Sequence, residues 1–287
     1  MSSLIRQIED VYPTLTPSLR KVADYLLAHP VEAQYLSISD LADACGVGKA
    51  TVSRLCDNLG YEGYGSLKLA LARLGTVPTY DAIRQSAEPI PEAVKLANAK
   101  AAAQQMRDVN VAAMDETLAL MDWAALVRCA RLLQRARDVY CLGHGGCDTV
   151  AADAWSHFIT LSPKFRHVTD SHCQIMTASL MDEGAVVLFL SYLGVTKDAI
   201  DVLENAKAAG AHIIVVTRYP NSPVAEYAEE VLVCGGRETP LEGGSISAKV
   251  SLLFVIGLLS EEYCRVDQPR AQMNADRTSD ALATRML

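Results

Sequence analysis

The sequence predicts two parts of different class, a small all-helical head and, behind it, an α/β domain built on a five-stranded parallel sheet flanked by helices. Three observations carry that expectation. From Leu4 to about Leu74, apolar residues recur at spacings of three and four, the period of an amphipathic helix. From Asp138 onward, short apolar runs alternate with helical stretches, the pattern of a sheet covered on both faces. Between them, Thr76 to Asp108 holds Pro78, Pro89 and Pro91 and then the weakly patterned VKLANAKAAAQQM, which reads as a linker with a helix inside it. The expected division is residues 1–77 for the head, 78–108 for the linker and 109–287 for the α/β domain.

In the head, Leu4, Ile5 and Ile8 start one helix. Thr16-Pro17 opens a second, with proline at its first position and Leu19, Val22, Ala23, Leu26 and Leu27 on its apolar face, and Pro30 ends it. The centre of the head is the stretch Ser37 to Leu59. Ser39 is positioned to cap a helix carrying Leu41, Ala42 and Cys45, and Gly46 supplies the backbone freedom for a tight turn. A further helix from about Gly48 to Leu59 places Val52, Leu55 and Leu59 on one face and leaves Lys49, Ala50, Ser53 and Arg54 outward, with Thr51 in reach of a phosphate. Small residue, glycine turn and buried valine and leucine in this order make a helix-turn-helix, whose second helix enters the DNA major groove; an ordinary helical hairpin is the plainer alternative. YEGYGSLKLALARLG begins one more helix after Gly60.

The net charge of −8 excludes a protein that binds nucleic acid over its whole surface. The head is nearly balanced, so phosphate attraction falls to Lys49, Arg54, Lys68 and Arg73. Because salt-dependent affinity scales with the phosphates neutralised, so few cations per subunit imply that two or more subunits act together, as a homodimer or homotetramer. No run approaches the roughly 20 apolar residues of a membrane span, and MSSLIRQIED lacks a signal peptide's regions, so a cytoplasmic protein with no membrane partner is expected. Eight cysteines without a C-x-x-C pair suit reduced thiols rather than a disulfide framework or zinc finger.

In the α/β domain, Val109 to Leu133 reads as helical, with Leu118, Met121, Leu126, Val127, Ala130 and Leu133 available to cover a sheet or a partner subunit. The candidate strands are Val139–Leu142, Phe165–Val168, Val186–Leu190, Ile213–Thr217 and Val231–Val233, each of the first four followed by a helix. Ligands of such sheets bind at the carboxyl ends of the strands, so the loops there are the candidate site. Gly143-His144-Gly145-Gly146-Cys147-Asp148 follows the first strand, where glycines allow backbone N–H groups at a helix start to approach an anion. It is no dinucleotide fingerprint, because Asp148 stands where G-x-G-x-x-G has its third glycine. Thr169 to Gln174 and Ser191-Tyr192-Leu193-Gly194-Val195-Thr196 follow the next two strands, and Glu242-Gly243-Gly244-Ser245 precedes a long apolar helix from Ala248 to Tyr263.

With these motifs assembled, the chain resembles the RpiR-type bacterial transcriptional regulators, which join an N-terminal helix-turn-helix to a C-terminal sugar isomerase (SIS) domain. In the head the likeness rests on Lys49-Ala50-Thr51-Val52-Ser53-Arg54, Leu59-Gly60-Tyr61-Glu62-Gly63-Tyr64 and Lys68; in the tail, on Gly143-x-Gly145, Asp170-x-His172-x-Gln174, Ser191-x-x-Gly194-x-Thr196 and Ser222-Pro223. The resemblance implies a regulator of carbohydrate metabolism that binds operator DNA through Lys49, Ala50, Thr51, Ser53, Arg54 and Lys68. It also implies a sugar phosphate or sugar-acid effector held by Gly143, His144, Gly145, Gly146, Cys147, His172, Ser191, Tyr192, Gly194, Thr196, Glu242 and Ser245. Two departures bear on the effector. The family usually has serines where this chain has Cys147 and Leu193, and those hydroxyls hold phosphate, so a neutral or carboxylate-bearing sugar competes with a phosphorylated one.

The alternatives differ in class. A sugar isomerase or lyase would use Glu242 and His172 as base and proton shuttle, although no second carboxylate is plainly paired with Glu242. His144, Cys147, His172 and Cys173 are soft ligand types brought to one sheet edge, yet no H-x-x-x-H spacing accompanies them, and neither a metal nor a cofactor is expected. Cys147 opens a helix, where the helix dipole lowers a thiol's pKa.

Overall fold

The computed structural model describes residues 3–34, 36–75, 92–236 and 245–283. The chain divides into a head unit ending at Gln104 and an α/β unit beginning at Gln105.

The head is helical throughout: α1 (Ser3–Val11), α2 (Pro17–Ala28), α3 (Pro30–Ala33), α4 (Ile38–Ala44), α5 (Lys49–Asn58) and α6 (Tyr64–Gly75). Their apolar stripes meet in one core that includes Leu4, Ile8, Leu19, Val22, Leu26, Leu41, Val52, Leu55, Leu67 and Leu71. The cap of α4 is Ser37, not Ser39. Its hydroxyl accepts from the Asp40 N–H at 3.1 Å while the Asp40 carboxylate accepts from the Ser37 N–H at 3.2 Å, a reciprocal box that only residues three apart can form. At the other end of α4, the Val47 N–H reaches back to the Ala42 carbonyl and the Gly46 N–H to Asp43. This closure needs a left-handed residue, and Gly46, at φ +62°, provides it. The turn tucks Val47 against the core and launches α5 two residues later.

The segment read as linker and helix is described from Glu92 onward, and there it is helical. α7 (Glu92–Leu120) runs without interruption across residue 108, and α8 (Trp123–Arg135) follows. The helical pattern from Val109 to Leu133 is therefore two helices, because Asp122 breaks it and caps α8 by accepting from the N–H groups of Ala124 and Ala125. Met121, Leu126, Ala130 and Leu133 are buried over the sheet, whereas Leu118 is exposed.

All five strands form close to the expected positions: β1 (Asp138–Gly143), β2 (Phe165–His167), β3 (Ala185–Leu190), β4 (His212–Thr217) and β5 (Glu230–Val233). They pair in parallel in the order β2-β1-β3-β4-β5. α9 (Gly146–Phe158), α10 (Ser171–Ser179) and α11 (Lys197–Ala208) follow the first three strands. After β4 the expected helix is absent from the described residues; the chain makes one 3-10 turn, Ala225–Tyr227, because Pro220 and Pro223 leave no room for a longer run. α12 (Ile246–Val266) and α13 (Gln268–Ala283) complete the unit.

One face of the sheet packs with α8, α9 and α12 and the other with α10 and α11, which is why all six residues of β3 are buried. Phe158 stacks on Phe165 at 4.5 Å, with Tyr263 edge-on to both. Burial of each such ring contributes about 1.5–3 kcal/mol, so this cluster fixes α9 and α12 against β2. None of the described helices is long and apolar enough to cross a membrane.

Candidate functional site

From β1 the chain turns first to β2 on one side and later crosses to β3 on the other, so the strand order reverses between β1 and β3. The loops leaving these two neighbours lie at the switch point, the crevice where sheets of this kind bind ligands.

The β1 loop is held close by a missing side chain. A Cβ on Gly143 would stand 2.9 Å from the Cys147 carbonyl oxygen and 3.0 Å from that of Leu190, so only glycine lets α9 begin this tightly against β3. Gly145, at φ +56°, then turns the chain into α9 and serves as its N-cap with no side-chain hydrogen bond. Gly146 and Cys147 form the first turn, and the Cys147 thiol accepts from the Tyr192 N–H at 3.5 Å, tying the β1 loop to the β3 loop. Asp148 lies within 2.9 Å of His167 Nε2.

In the β3 loop, Ser191 and Tyr192 are buried and Gly194 is left-handed at φ +67°. The Gly194 carbonyl accepts from Val224 N–H, so the loop rests on the segment after β4. Thr196 is exposed and occupies the N-cap of α11 without a side-chain bond. Two helix starts on adjacent strands therefore lack a side-chain cap, each at the positive end of a helix dipole; in α9 the Cys147 and Asp148 N–H groups bond the His144 and Gly145 carbonyls at 3.1 Å. The other two starts at this edge are closed. Asp170 caps α10 through Cys173 N–H, and Ser245 caps α12 through Ala248 N–H at 3.2 Å.

The remaining expected ligand residues are distributed unequally. His172 is exposed in the first turn of α10. His144 is near the first turns of α9 and α11, within the field of Asp148 and Asp198, with both ring nitrogens buried, Gln174 beside it and its ring edge-on to Phe189 at 5.6 Å. Burial holds its imidazole below the ordinary histidine range, against the pull of Asp198 and Asp148. Gln174, fully buried beside it, donates to the Gly143 and Val168 carbonyls and leaves Oε1 unpaired. Tyr192 points its ring away from the crevice, and its hydroxyl donates to the Gly235 carbonyl at 3.3 Å. Glu242 lies outside the described residues, and with it the base of the isomerase alternative. Among the described residues no group of three or more histidine, cysteine or acidic side chains is arranged to hold a metal ion.

In the head, Lys49, Ala50, Ser53 and Arg54 are exposed on one face of α5 and Thr51 is half-buried, while Val52, Leu55 and Cys56 face the core. Gly48 caps α5 without a side chain, its carbonyl accepting from the Thr51 N–H at 2.8 Å. Lys68 differs from the other cations, since it is half-buried on α6 and burial brings its ammonium down to about 8, partly offset by Asp40. The Arg73 side chain lies outside what is described.

Comparison with known proteins agrees with both units. Residues 2–74 match the helix-turn-helix domain of the rpiR family, and residues 132–261 match the SIS domain. An HTH-type transcriptional regulator of Haemophilus influenzae is 30% identical over 98% of this chain and 96% of its own length. The regulator HexR of Pseudomonas aeruginosa is 30% identical over 78% of this chain and 76% of its own. The solved structure of the Vibrio vulnificus NanR protein complexed with ManNAc-6P is 25% identical, covers 99% of this chain and all of that one, and superposes with a TM-score of 0.83. A helix-turn-helix with an exposed polar face, a SIS domain on a parallel sheet and full-length relatives named as regulators lead to one conclusion: the chain is a transcriptional regulator and belongs to the RpiR family.

Proposed function

We propose that this regulator binds operator DNA through α5 and senses a sugar phosphate, or a sugar acid of similar size, in the crevice between the β1 and β3 loops. The observation that carries the effector reading is the pair of uncapped helix starts, α9 at Gly145 to Cys147 and α11 at Thr196, on neighbouring strands. Two helix starts with the positive ends of their dipoles on neighbouring strands suit a dianion better than a neutral sugar, and they need no serine at position 147. NanR of Vibrio vulnificus, which shares the fold over its whole length, is described in complex with ManNAc-6P, a phosphorylated sugar. In this reading Gly143, Gly145, Gly146, Cys147, Ser191, Gly194 and Thr196 line the anion end, His172 and Glu242 flank the sugar, and Ser245 closes the far side.

For DNA, Lys49, Ser53 and Arg54 face the groove, and the start of α5, which has no side-chain cap, suits a backbone phosphate. Lys68 contributes to the local field more than to a direct contact. One head offers too few cations for tight binding, so two subunits read two half-sites as a homodimer, or four as a homotetramer. The working boundaries are 1–77, 78–108 and 109–287, with α7 spanning the last of them.

The test is a thermal-shift screen of the purified protein against sugar phosphates, sugar acids and the corresponding free sugars. Stabilisation by a phosphorylated compound and not by its free parent supports the reading. Stabilisation by free sugars alone, or turnover of a sugar phosphate, rejects it.

A further inference from the structure

Tyr192 is the second residue of the β3 loop, and its bonds run from Cys147 at the crevice toward α7. Its N–H donates to the Cys147 thiol at 3.5 Å, and its carbonyl accepts from Arg218 N–H at 3.0 Å and from the Thr217 hydroxyl at 3.1 Å. Its own hydroxyl donates to Gly235 O. The Gly235 N–H donates to Thr117 Oγ1 at 2.8 Å, and the Gly236 N–H to Glu116 Oε2 at 2.8 Å. Arg218 closes the ring, with Nε donating to Gly236 O at 3.2 Å and its terminal nitrogen to Glu116 Oε1 at 2.7 Å. A Cβ on Gly235 would lie 2.5 Å from the Ala113 carbonyl oxygen, so the strand end touches the helix backbone itself.

Of the α7 residues from Asn98 to Leu120, only Ala113 and Thr117 are buried, and both lie at this clamp. The same helix begins at Glu92, before the division at Gln104, and is the stretch of chain that leads back toward the head. The loops after β3, β4 and β5 thus reach α7 through one hydrogen-bonded ring that includes an ion pair, while the β1 loop joins it through Cys147.

We infer that Tyr192 is a positioning residue that couples the effector crevice to α7 through the Glu116–Arg218 clamp, rather than a residue that touches effector. Moving the β3 loop changes the angle at which Tyr192 meets Gly235; the carbonyls at 235 and 236 are paired by Tyr192 and Arg218, and the N–H groups at those positions are paired only when Thr117 and Glu116 stay in register. The clamp accordingly has a bound register, and a loop shift is resolved by α7 moving or loosening. Coupling of this kind is reciprocal, so a change on α7 must return to the loop. The inference rests on the crevice being the effector site, and its test separates the two.

The experiment is hydrogen exchange by mass spectrometry on the full-length protein, comparing wild type with Tyr192→Phe and Glu116→Gln, both near-isosteric. Each substitution removes one or two hydrogen bonds. Tyr192→Phe is expected to speed exchange in residues 106–120 about fivefold, and Glu116→Gln to do the same in residues 191–196, with residues 171–180 of α10 unchanged in both. Exchange that rises only next to each substitution, or equally in α10, overturns the coupling. A second arm adds 20 mM inorganic phosphate as the probe. Protection of 106–120 in wild type that Tyr192→Phe abolishes, while 143–148 stays protected, supports the inference; equal protection of 106–120 in both proteins overturns it. If phosphate protects neither loop, the anion reading of the crevice fails, and the mutational arm alone decides the coupling.

Discussion

Replacing Gly194 by alanine tests the packing beneath the crevice more severely than its size suggests. At φ +67° an L side chain costs about 1 kcal/mol. The added Cβ would also lie 2.1 Å from Ser222 Oγ and 2.4 Å from Ser222 Cβ. Rotating the serine clears the first contact but not the second. Ordinary carbon contact of about 3.5 Å therefore requires the loops to part by about 1 Å, an overpacking cost of about 1–3 kcal/mol. That movement stretches the 3.1 Å bond from Val224 N–H to Gly194 O, worth about another 1 kcal/mol. The sum is about 3–5 kcal/mol, a large fraction of the roughly 5–15 kcal/mol of a typical domain. Both tryptophans, Trp123 and Trp155, lie in the α/β unit, so urea unfolding followed by tryptophan fluorescence reports that unit. Adding Ser222→Ala should restore little, because the offending Cβ remains. Adding Ser222→Gly should restore all but about 1 kcal/mol, and little is lost with the hydroxyl, which has no hydrogen-bond partner. A Gly194→Ala loss below about 1 kcal/mol, or equal rescue by both second substitutions, would refute the reasoning.

Arg54→Ala should weaken operator binding by about 1–3 kcal/mol in gel shifts at matched salt while leaving the melting temperature unchanged, because the side chain is exposed on α5. Native-state alkylation at pH 8 should reach the exposed Cys173 and spare Cys56, Cys129, Cys141 and Cys234, whose thiols burial pushes up to about 11 for the first and about 12 for the other three; labelling of those four without unfolding would contradict their placement. The folded state holds His144 neutral, so below the ordinary histidine pKa of 6.5 the unfolded chain takes up the proton first. Stability should fall as pH drops from 6.5, and His144→Gln should flatten the melting temperature between pH 7 and 5.5 relative to wild type. Light scattering at micromolar concentration should give a dimer or larger, and a monomer that still binds operator tightly would contradict the two-head reading.

Much of this was legible in the sequence, for reasons of range. Strands came from short apolar runs and the helix-turn-helix from spacings of three and four, which are local signals; the five strands and α5 fall within a residue or two of expectation. The errors arose where two local signals compete. Ser37 and Ser39 are both adequate caps, and only the partner three residues on, Asp40, selects the first. Asp122 splits a pattern that hydrophobic spacing alone reads as continuous. Direction was less legible than position. The β1 loop was expected to present His144 and the β3 loop Tyr192; His144 packs edge-on to Phe189, while the Tyr192 hydroxyl is taken up by the Gly235 carbonyl, a partner that sequence spacing does not reveal. The Glu116–Arg218 clamp left no sequence signal at all, since its members stand 102 residues apart and are ordinary surface types until the sheet brings them together.

The central claim is that a phosphorylated metabolite in the SIS crevice alters operator affinity. It is tested most directly by fluorescence anisotropy of a labelled fragment from the protein's own promoter region, titrated with protein in the presence of each sugar phosphate and of its dephosphorylated parent. The account predicts that at least one phosphorylated compound shifts the DNA Kd about tenfold or more while its parent leaves it unchanged, a difference of about 1.4 kcal/mol. A Kd that responds to no member of the panel, or equally to parent and phosphate, would contradict it.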